Sequence, residues 1–483
     1  MYHSYYDKFE EYILDGSRDN IPKFWDEMKD HPAYALHPMH SHKLSDFRTH
    51  AIPMRLYGDG TPSTGVGKSW ARSVDSIILS SCLVTSGCTW LTNYIIAFIY
   101  ELLMYVDADG NHLTEDVVWR HIVWSLYWAY QGVHPDRSPH NVLYIDPARM
   151  ALAGSPLMGG LFLVIWVLSG DLDYMLKRLF LSDYNSRLPR SLCECNTSDT
   201  PRTDHLDGIA LWQLKLWTNL AYAHAHPRRH RVLRHLPGVG VTNYIPDIMH
   251  VKPLGTDKSF VGSALRNLTH HILPSDFNGN LSRMWNDILA EYGSQGVTTR
   301  FQYLTHRMIQ GASKKTLELR GKAAQMRSLI PVLINVFSTH MDVNNDQHRD
   351  VLTGLVCSAR IDQLLEDHKD KPRSPPVARK DFREMCFQFV SAQAALVAFY
   401  HPDIPLHNIA TKTHYLMHLG MISDWMNPSQ GACWRGEDMM RVSRRLLASS
   451  AHGSKPEQIQ RSAMDKYCRA LGFEFEHNGT WWV

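Results

Sequence analysis

Residues 161 to 168 read Leu-Phe-Leu-Val-Ile-Trp-Val-Leu, eight apolar side chains in succession with nothing to turn toward water. A run this short, rich in β-branched and aromatic residues, is the pattern of a strand buried on both faces. The chain therefore needs a sheet that other elements cover on both sides. The run ends in Ser169-Gly170-Asp171, which leaves a carboxylate just past the strand. A second strand, Ile52 to Tyr57, runs into Gly58-Asp59-Gly60, which is expected to stop it sharply and again leaves a carboxylate at its tip.

One stretch imitates a membrane span. Between Asp75 and Glu101 lie 25 residues without a charge, enough on length alone. Nearly half are Ser, Thr, Asn, Gly or Cys, and the centre, Thr85-Ser86-Gly87-Cys88-Thr89, reads as a turn. A buried strand (Ile77 to Val84), a turn and a buried helix (Asn93 to Val106) fit better, and a soluble protein without membrane contact is expected. Hydrophobic residues at 44% and charged residues at 20% exclude a disordered chain. Fifty Lys plus Arg against 48 Asp plus Glu leave a net charge of +2, so nucleic-acid binding would have to come from local clusters. The 28 His and 14 Trp direct attention to metal ligands and stacking surfaces. The eight Cys are scattered, and no signal peptide is seen at Met1, which argues for a reducing compartment rather than a disulfide scaffold.

At 483 residues the chain is long enough for about three domains, or for one large domain with an insertion. Residues 1–50 are expected to be a helical segment (Tyr6 to Leu14, Ile21 to Met28) and 51–187 the first part of an α/β core. In that core Trp119 to Tyr130 repeats aromatic residues at helical spacing and reads as a core helix. Residues 188–410 are expected to be mainly helical, with elements at Gly208 to Ala223, Ser259 to His271, Ser282 to Tyr292, Lys315 to Phe337, Asp350 to Glu366 and Asp381 to Tyr400. Residues 411–483 would close the core with helices Thr411 to Met421 and Gly436 to Ser449.

Two strands ending in aspartates, a long helical section and then a helix that opens on an acidic residue suggest a ribonuclease H-like core interrupted by an insertion. In such a core, carboxylates at adjacent strand tips and on a nearby helix hold two divalent ions about 4 Å apart. Mg²⁺ suits an all-oxygen site of this kind. Strand-end aspartates also occur as plain turn residues.

The phrases IPMRLYGDGTP (52–62), SGDLDYM (169–175), PDIMHVKPLGTD (246–257), KTHYLMHLG (412–420) and GEDMMRVSRRL (436–446) resemble the catalytic region of the plant and protist CACTA-type DDE transposases, across about Ala51 to Leu447. The resemblance implies that Asp59, Asp171 and Glu437 are the catalytic acids and the ligands of two Mg²⁺ or Mn²⁺ ions, with Asp173 and Asp438 as neighbouring alternates. In this family and the related antigen-receptor recombinases, a Cys pair after the second acid and a His pair before the glutamate bind structural Zn²⁺. The matching residues here are Cys193, Cys195, His414 and His418. The last two are four apart on one helix face and 19 residues before Glu437; half-exposed helix histidines would look the same.

This sequence has CxC, displaced from Pro189, where the family has CxxC after a proline, so the zinc site is altered. Asp247 is an alternate second acid, with His250 oriented by it or touching phosphate. It also reads as the N-cap of the next helix. Asp171 is preferred because it follows the strongly apolar strand.

DNA contacts are expected from local charge. His224 to His235 holds Arg228, Arg229, Arg231 and Arg234 among four His in twelve residues, and Lys315, Arg320 and Lys322 form a second cluster. Arg441, Arg444 and Arg445 follow Glu437 by one to two turns. Gly65-Val66-Gly67-Lys68-Ser69 lacks the spacing of a nucleotide-binding phosphate loop, which argues against an NTPase. The resemblance implies metal-dependent hydrolysis at transposon ends, then attack of the freed 3′ hydroxyl on target DNA, in the nucleus. A homo-oligomer and a separate DNA-binding partner protein are further expectations. The alternative is a catalytically inactive, domesticated or decaying descendant that keeps the fold for DNA binding or interaction.

Overall fold

A computed structural model describes residues 1–43, 46–62, 73–85, 87–108, 112–178, 192–196, 200, 203–225, 235–310, 317–401, 406–451 and 454–477. The chain divides into two compact units. The first comprises Met1–Leu181, Trp217–Ile245 and Gln430–Val483, and the second Ser182–Leu216 and Pro246–Ser429. The first unit thus includes the N-terminal 50 residues and takes residues 217–245 back out of the helical section, while the helix bearing His414 and His418 falls in the second.

The first unit is a mixed α/β structure built on four strands, β1 (Ala51–Pro62), β2 (Ser73–Ser81), β3 (Asn93–Tyr100) and β4 (Phe162–Gly170), in the order β3-β2-β1-β4. β1 pairs antiparallel with β2 and β2 with β3, whereas β1 and β4 run parallel. A parallel pair needs a long crossover, and here it contains the helix Leu113–Gln131. That helix buries Trp119, Ile122, Val123, Leu126 and Tyr130 along one stripe and ends at Gly132 in the left-handed conformation (φ 69°). β4 is buried almost throughout, as its apolar run demands. Tyr244 forms a parallel bridge with Leu168, and the Asn243 side-chain amide donates to the Trp166 carbonyl at 3.1 Å, so a short segment covers part of the β4 edge.

Two expectations fail here for physical reasons. The segment expected as a helix from Asn93 is β3: Tyr94-Ile95-Ile96-Ala97-Phe98-Ile99-Tyr100 is β-branched and aromatic, and pairing with β2 decides what its short apolar run could not. The uncharged 25-residue stretch therefore holds most of β2, a short helix Thr89–Thr92 and β3, and no helix among the described residues is long and apolar enough to cross a membrane. Gly58-Asp59-Gly60 does not stop β1, which continues to Pro62 with Asp59 opposite Ser76.

The N-terminal helices Tyr6–Ile13 and Asn20–Glu27 belong to the same unit. Trp25 meets Trp166 edge-on at 4.9 Å and donates its indole N–H to the Ala51 carbonyl at 2.8 Å. His31 and His37 lie against the same Trp166 ring, at 4.5 and 5.8 Å. Burial pushes these two imidazoles down, to about 3 and about 4 respectively. Each therefore favours the fold fully above the ordinary histidine value and progressively less as the pH falls toward its folded value. At pH 4.5 the two should cost about 2–3 kcal/mol each. Denaturation midpoints followed from pH 7 to 4.5 should show this loss, reduced in His31→Gln; an equal loss in that variant would contradict it.

In the second unit the helices Phe277–Ser294, Asp346–Asp367, Pro376–Tyr400 and Thr411–Ile422 follow the sequence pattern closely, whereas the helix expected from Lys315 is Ala323–His340, with Arg320 and Lys322 ahead of its start. The helix expected over Gly208 to Ala223 is broken into a short turn, Leu211–Leu214, and a helix Asn219–Ala225. The break has a tertiary cause: Leu216 bridges Cys193, and the Glu194 amide donates to the Lys215 carbonyl at 2.9 Å, holding this stretch extended.

Candidate active site and metal centre

The parallel register of β1 and β4 ends with Gly58 opposite Gly170. Asp59, the next residue of β1, and Asp171, just past the end of β4, therefore follow the last pair of two adjacent parallel strands, whose spacing is about 4.8 Å. Asp59 is nearly buried, at 9% exposure. Its Oδ2 accepts from the Tyr57 hydroxyl at 2.9 Å and its Oδ1 from the Gly60 amide at 2.7 Å. Asp171 accepts the Tyr174 amide at 2.5 Å and so caps the helix Leu172–Arg178 that follows it.

Glu437 lies in the first turn of the helix Trp434–Ser450, which packs on β1. Gly436 brings that turn against the strand: a Cβ there would lie 2.2 Å from the Tyr57 ring. Burial first, then the negative charge of Asp171, with a further push from Glu437, raise the Asp59 carboxyl to about 7, against the opposing hydrogen bonds from Tyr57 and Gly60. Asp171 and Glu437, far apart in sequence, thus both act on Asp59 within the first unit. Burial also pushes the Tyr57 hydroxyl well up, so it stays a donor.

The alternates sit differently. Asp173 is exposed on the first turn after Asp171, and Asp438 forms an exposed pair with Arg441 at 3.3 Å. Asp247 is the N-cap of the short helix Ile248–Val251: its carboxylate accepts from the Met249 and His250 amides and contacts the His250 ring, which it orients. Both residues belong to the second unit. Arg441, Arg444 and Arg445 are exposed. Arg228, Arg229, Arg231, Arg234 and Lys315, like the Gly65 to Ser69 run, lie outside the described residues.

A second acidic group went unnoticed in the sequence. Asp75, across from Gly60, pairs with Arg178 at 2.6 Å, and the same guanidinium lies 3.7 Å from the buried Glu115. Burial raises Asp75 to about 6 and Glu115 to about 7, despite Arg178. Arg178 thereby ties the helix after Asp171 to β2 and to the crossover helix. Asp75 lies inside β2 and Glu115 in the first turn of the crossover helix, so neither carries a local signal.

In the second unit Cys193, His414 and His418 converge. Both imidazole Nε2 atoms are 3.3 Å from the Cys193 sulfur and 3.0 Å from each other. All three side chains are buried, and Trp212 covers the two rings at 4.6 and 4.7 Å. Burial and the neighbouring His414 push His418 well below its ordinary value, which keeps its imidazole neutral. These residues form a group able to hold a metal ion. Cys195, expected as a fourth donor, is fully buried but outside that group. In an extended CxC segment the two thiols share a side but their backbones are about 7 Å apart.

No protein-family model matches the chain, and no curated protein matches it.

Proposed function

We propose that this chain is a DDE transposase-like nuclease and strand transferase with a ribonuclease H-like core. The observation that carries the reading is the pair Asp59 and Asp171 at the point where the parallel pairing of β1 and β4 ends, with Glu437 close enough for its charge to act on Asp59. An antiparallel meander joined through a helical crossover to a parallel fourth strand supports the same core. Carboxylates that repel one another and hold a proton near neutrality are a poor structural device. They suit a site for Mg²⁺ or Mn²⁺, whose charge relieves the repulsion.

Asp59, Asp171 and Glu437 would hold two such ions, which when bound supply an activated water and stabilise the leaving 3′ oxygen. The chain itself contributes the orientation of the carboxylates: Tyr57 and Gly60 fix Asp59, and the Tyr174 amide fixes Asp171. Exposed Arg441, Arg444 and Arg445 on the glutamate helix would neutralise phosphates of the bound strand. The substrates on this reading are transposon ends and target DNA, which implies a nuclear protein, a homo-oligomer that holds paired ends, and a partner for end recognition.

Zn²⁺ fits the second cluster. Tetrahedral zinc separates two imidazole nitrogens by about 3.3 Å and a nitrogen from a thiolate by about 3.5 Å, and the observed separations are 3.0 and 3.3 Å. The altered Cys pair, CxC displaced from Pro189, is the observation that favours the second reading, an inactive descendant that keeps the fold.

Nicking of supercoiled plasmid and of end-labelled duplex DNA in Mn²⁺ separates the readings. The active enzyme should nick, and Asp59→Ala should reduce nicking by about 1,000-fold or more. Nicking that survives Asp59→Ala would overturn the proposal; a folded wild type that does not nick would select the inactive descendant.

A further inference from the structure

The face of β1 that carries Asp59 also carries Tyr57 and Arg55, because alternate strand residues share a side. Arg55 reaches Gln430, just before the glutamate helix, at 2.7 Å. Tyr57 reaches two elements at once: its hydroxyl donates to Asp59 at 2.9 Å, and its ring fills the space that a Cβ at position 436 would need. We infer that Tyr57 is a positioning residue that couples the carboxylate of Asp59 to the helix turn bearing Glu437, and so sets the spacing of the metal ligands.

The Gly60 amide can orient Asp59 only relative to its own strand, since it is the next residue in that strand. The Tyr57 ring is 4% exposed and wedged against Gly436, so its hydroxyl orients Asp59 relative to the helix as well. A carboxylate oxygen has two acceptor sites, so Oδ2 can accept the phenol and still face a cation. Hydrogen-bond partners of this kind orient ligating groups, and their loss typically weakens metal binding about 10- to 100-fold. The same contact explains why position 436 is glycine: any side chain would push the ring, and the hydroxyl with it, away from Asp59.

The inference rests on the two-metal reading, and the test separates the two. Free Mn²⁺ is titrated against the full chain and followed by electron paramagnetic resonance, for wild type, Asp59→Asn, Tyr57→Phe and Gly436→Ala. Circular dichroism reports the fold of each. Asp59→Asn should abolish tight Mn²⁺ binding. Tyr57→Phe, which keeps the ring, and Gly436→Ala, which keeps the hydroxyl but displaces it, should each weaken binding by about 10-fold or more. Nicking at saturating Mn²⁺ should be largely restored in Tyr57→Phe, a split that general destabilisation would not produce. If Asp59→Asn binds Mn²⁺ like wild type, the two-metal reading falls and this inference with it. If Asp59→Asn loses Mn²⁺ while folded Tyr57→Phe binds as tightly as wild type, only the role of Tyr57 falls. Should Tyr57→Phe not fold, Gly436→Ala decides in the same way.

Discussion

Replacing Asp59 with Asn should make the metal-free chain more stable at pH 8. The Asp59 carboxyl is raised to about 7 by burial and by Asp171 and Glu437. The folded state therefore binds the proton more tightly than the unfolded chain, whose value is about 3.9. The favourable contribution of this group is fully present below about pH 4 and is lost as the pH rises through about 7. Above that, the ionised Asp59 costs the fold about 4 kcal/mol. Asn removes that cost but replaces one acceptor oxygen with an amide donor, losing one of the hydrogen bonds from Tyr57 or Gly60, worth about 1 kcal/mol. The net gain at pH 8 is about 3 kcal/mol, and it should vanish near pH 4. Denaturant midpoints of the two proteins, without divalent ions, check this. A lower midpoint for Asp59→Asn at pH 8 would mean that the acids do not repel one another as described. A substitution that stabilises the protein and abolishes its chemistry marks a site built for a ligand rather than for the fold.

The second large effect concerns the Cys193, His414 and His418 cluster. The protein purified without chelator should contain about one zinc per chain, and removing it should unfold or loosen the second unit. Structural zinc contributes on the order of 10 kcal/mol of binding free energy at neutral pH, and that energy is coupled to folding. Three buried donors within 3.3 Å of one another would otherwise be left as an imidazole–imidazole–thiol contact sealed under Trp212. His418→Ala should lower the zinc content to near zero and shift the thermal midpoint down by several degrees or more. Elemental analysis together with calorimetry makes the comparison. Full zinc retention in His418→Ala, or an unchanged midpoint after chelation, would remove zinc from the account.

What the sequence revealed and what it hid divide along physical lines. The place of Asp171, just past β4, was legible because a strand buried on both faces must be continuously apolar, so its end is conspicuous. His414 and His418 were legible because a four-residue separation places two side chains on one helix face. The ambiguity at Asp247 was also visible, and the structure makes that residue an N-cap. β3 was misread because seven aromatic and aliphatic residues satisfy a strand and a helix equally well until a neighbouring strand pairs with them. The continuation of β1 through Gly58-Asp59-Gly60 was hidden for a related reason. The Tyr174 ring lies where a side chain at position 58 would be, so that glycine serves packing rather than a turn. Tyr57, Gly436 and Arg178 gave no signal because their roles consist of contacts with residues distant along the chain, which no local pattern encodes.

Anomalous diffraction from crystals of the full chain soaked in Mn²⁺ locates any bound ion relative to Asp59, Asp171 and Glu437. Convergence of the three acids predicts manganese peaks between the carboxylates of Asp59, Asp171 and Glu437, lost in Asp59→Asn. Manganese bound elsewhere, with those three carboxylates well ordered and holding no ion, would contradict it.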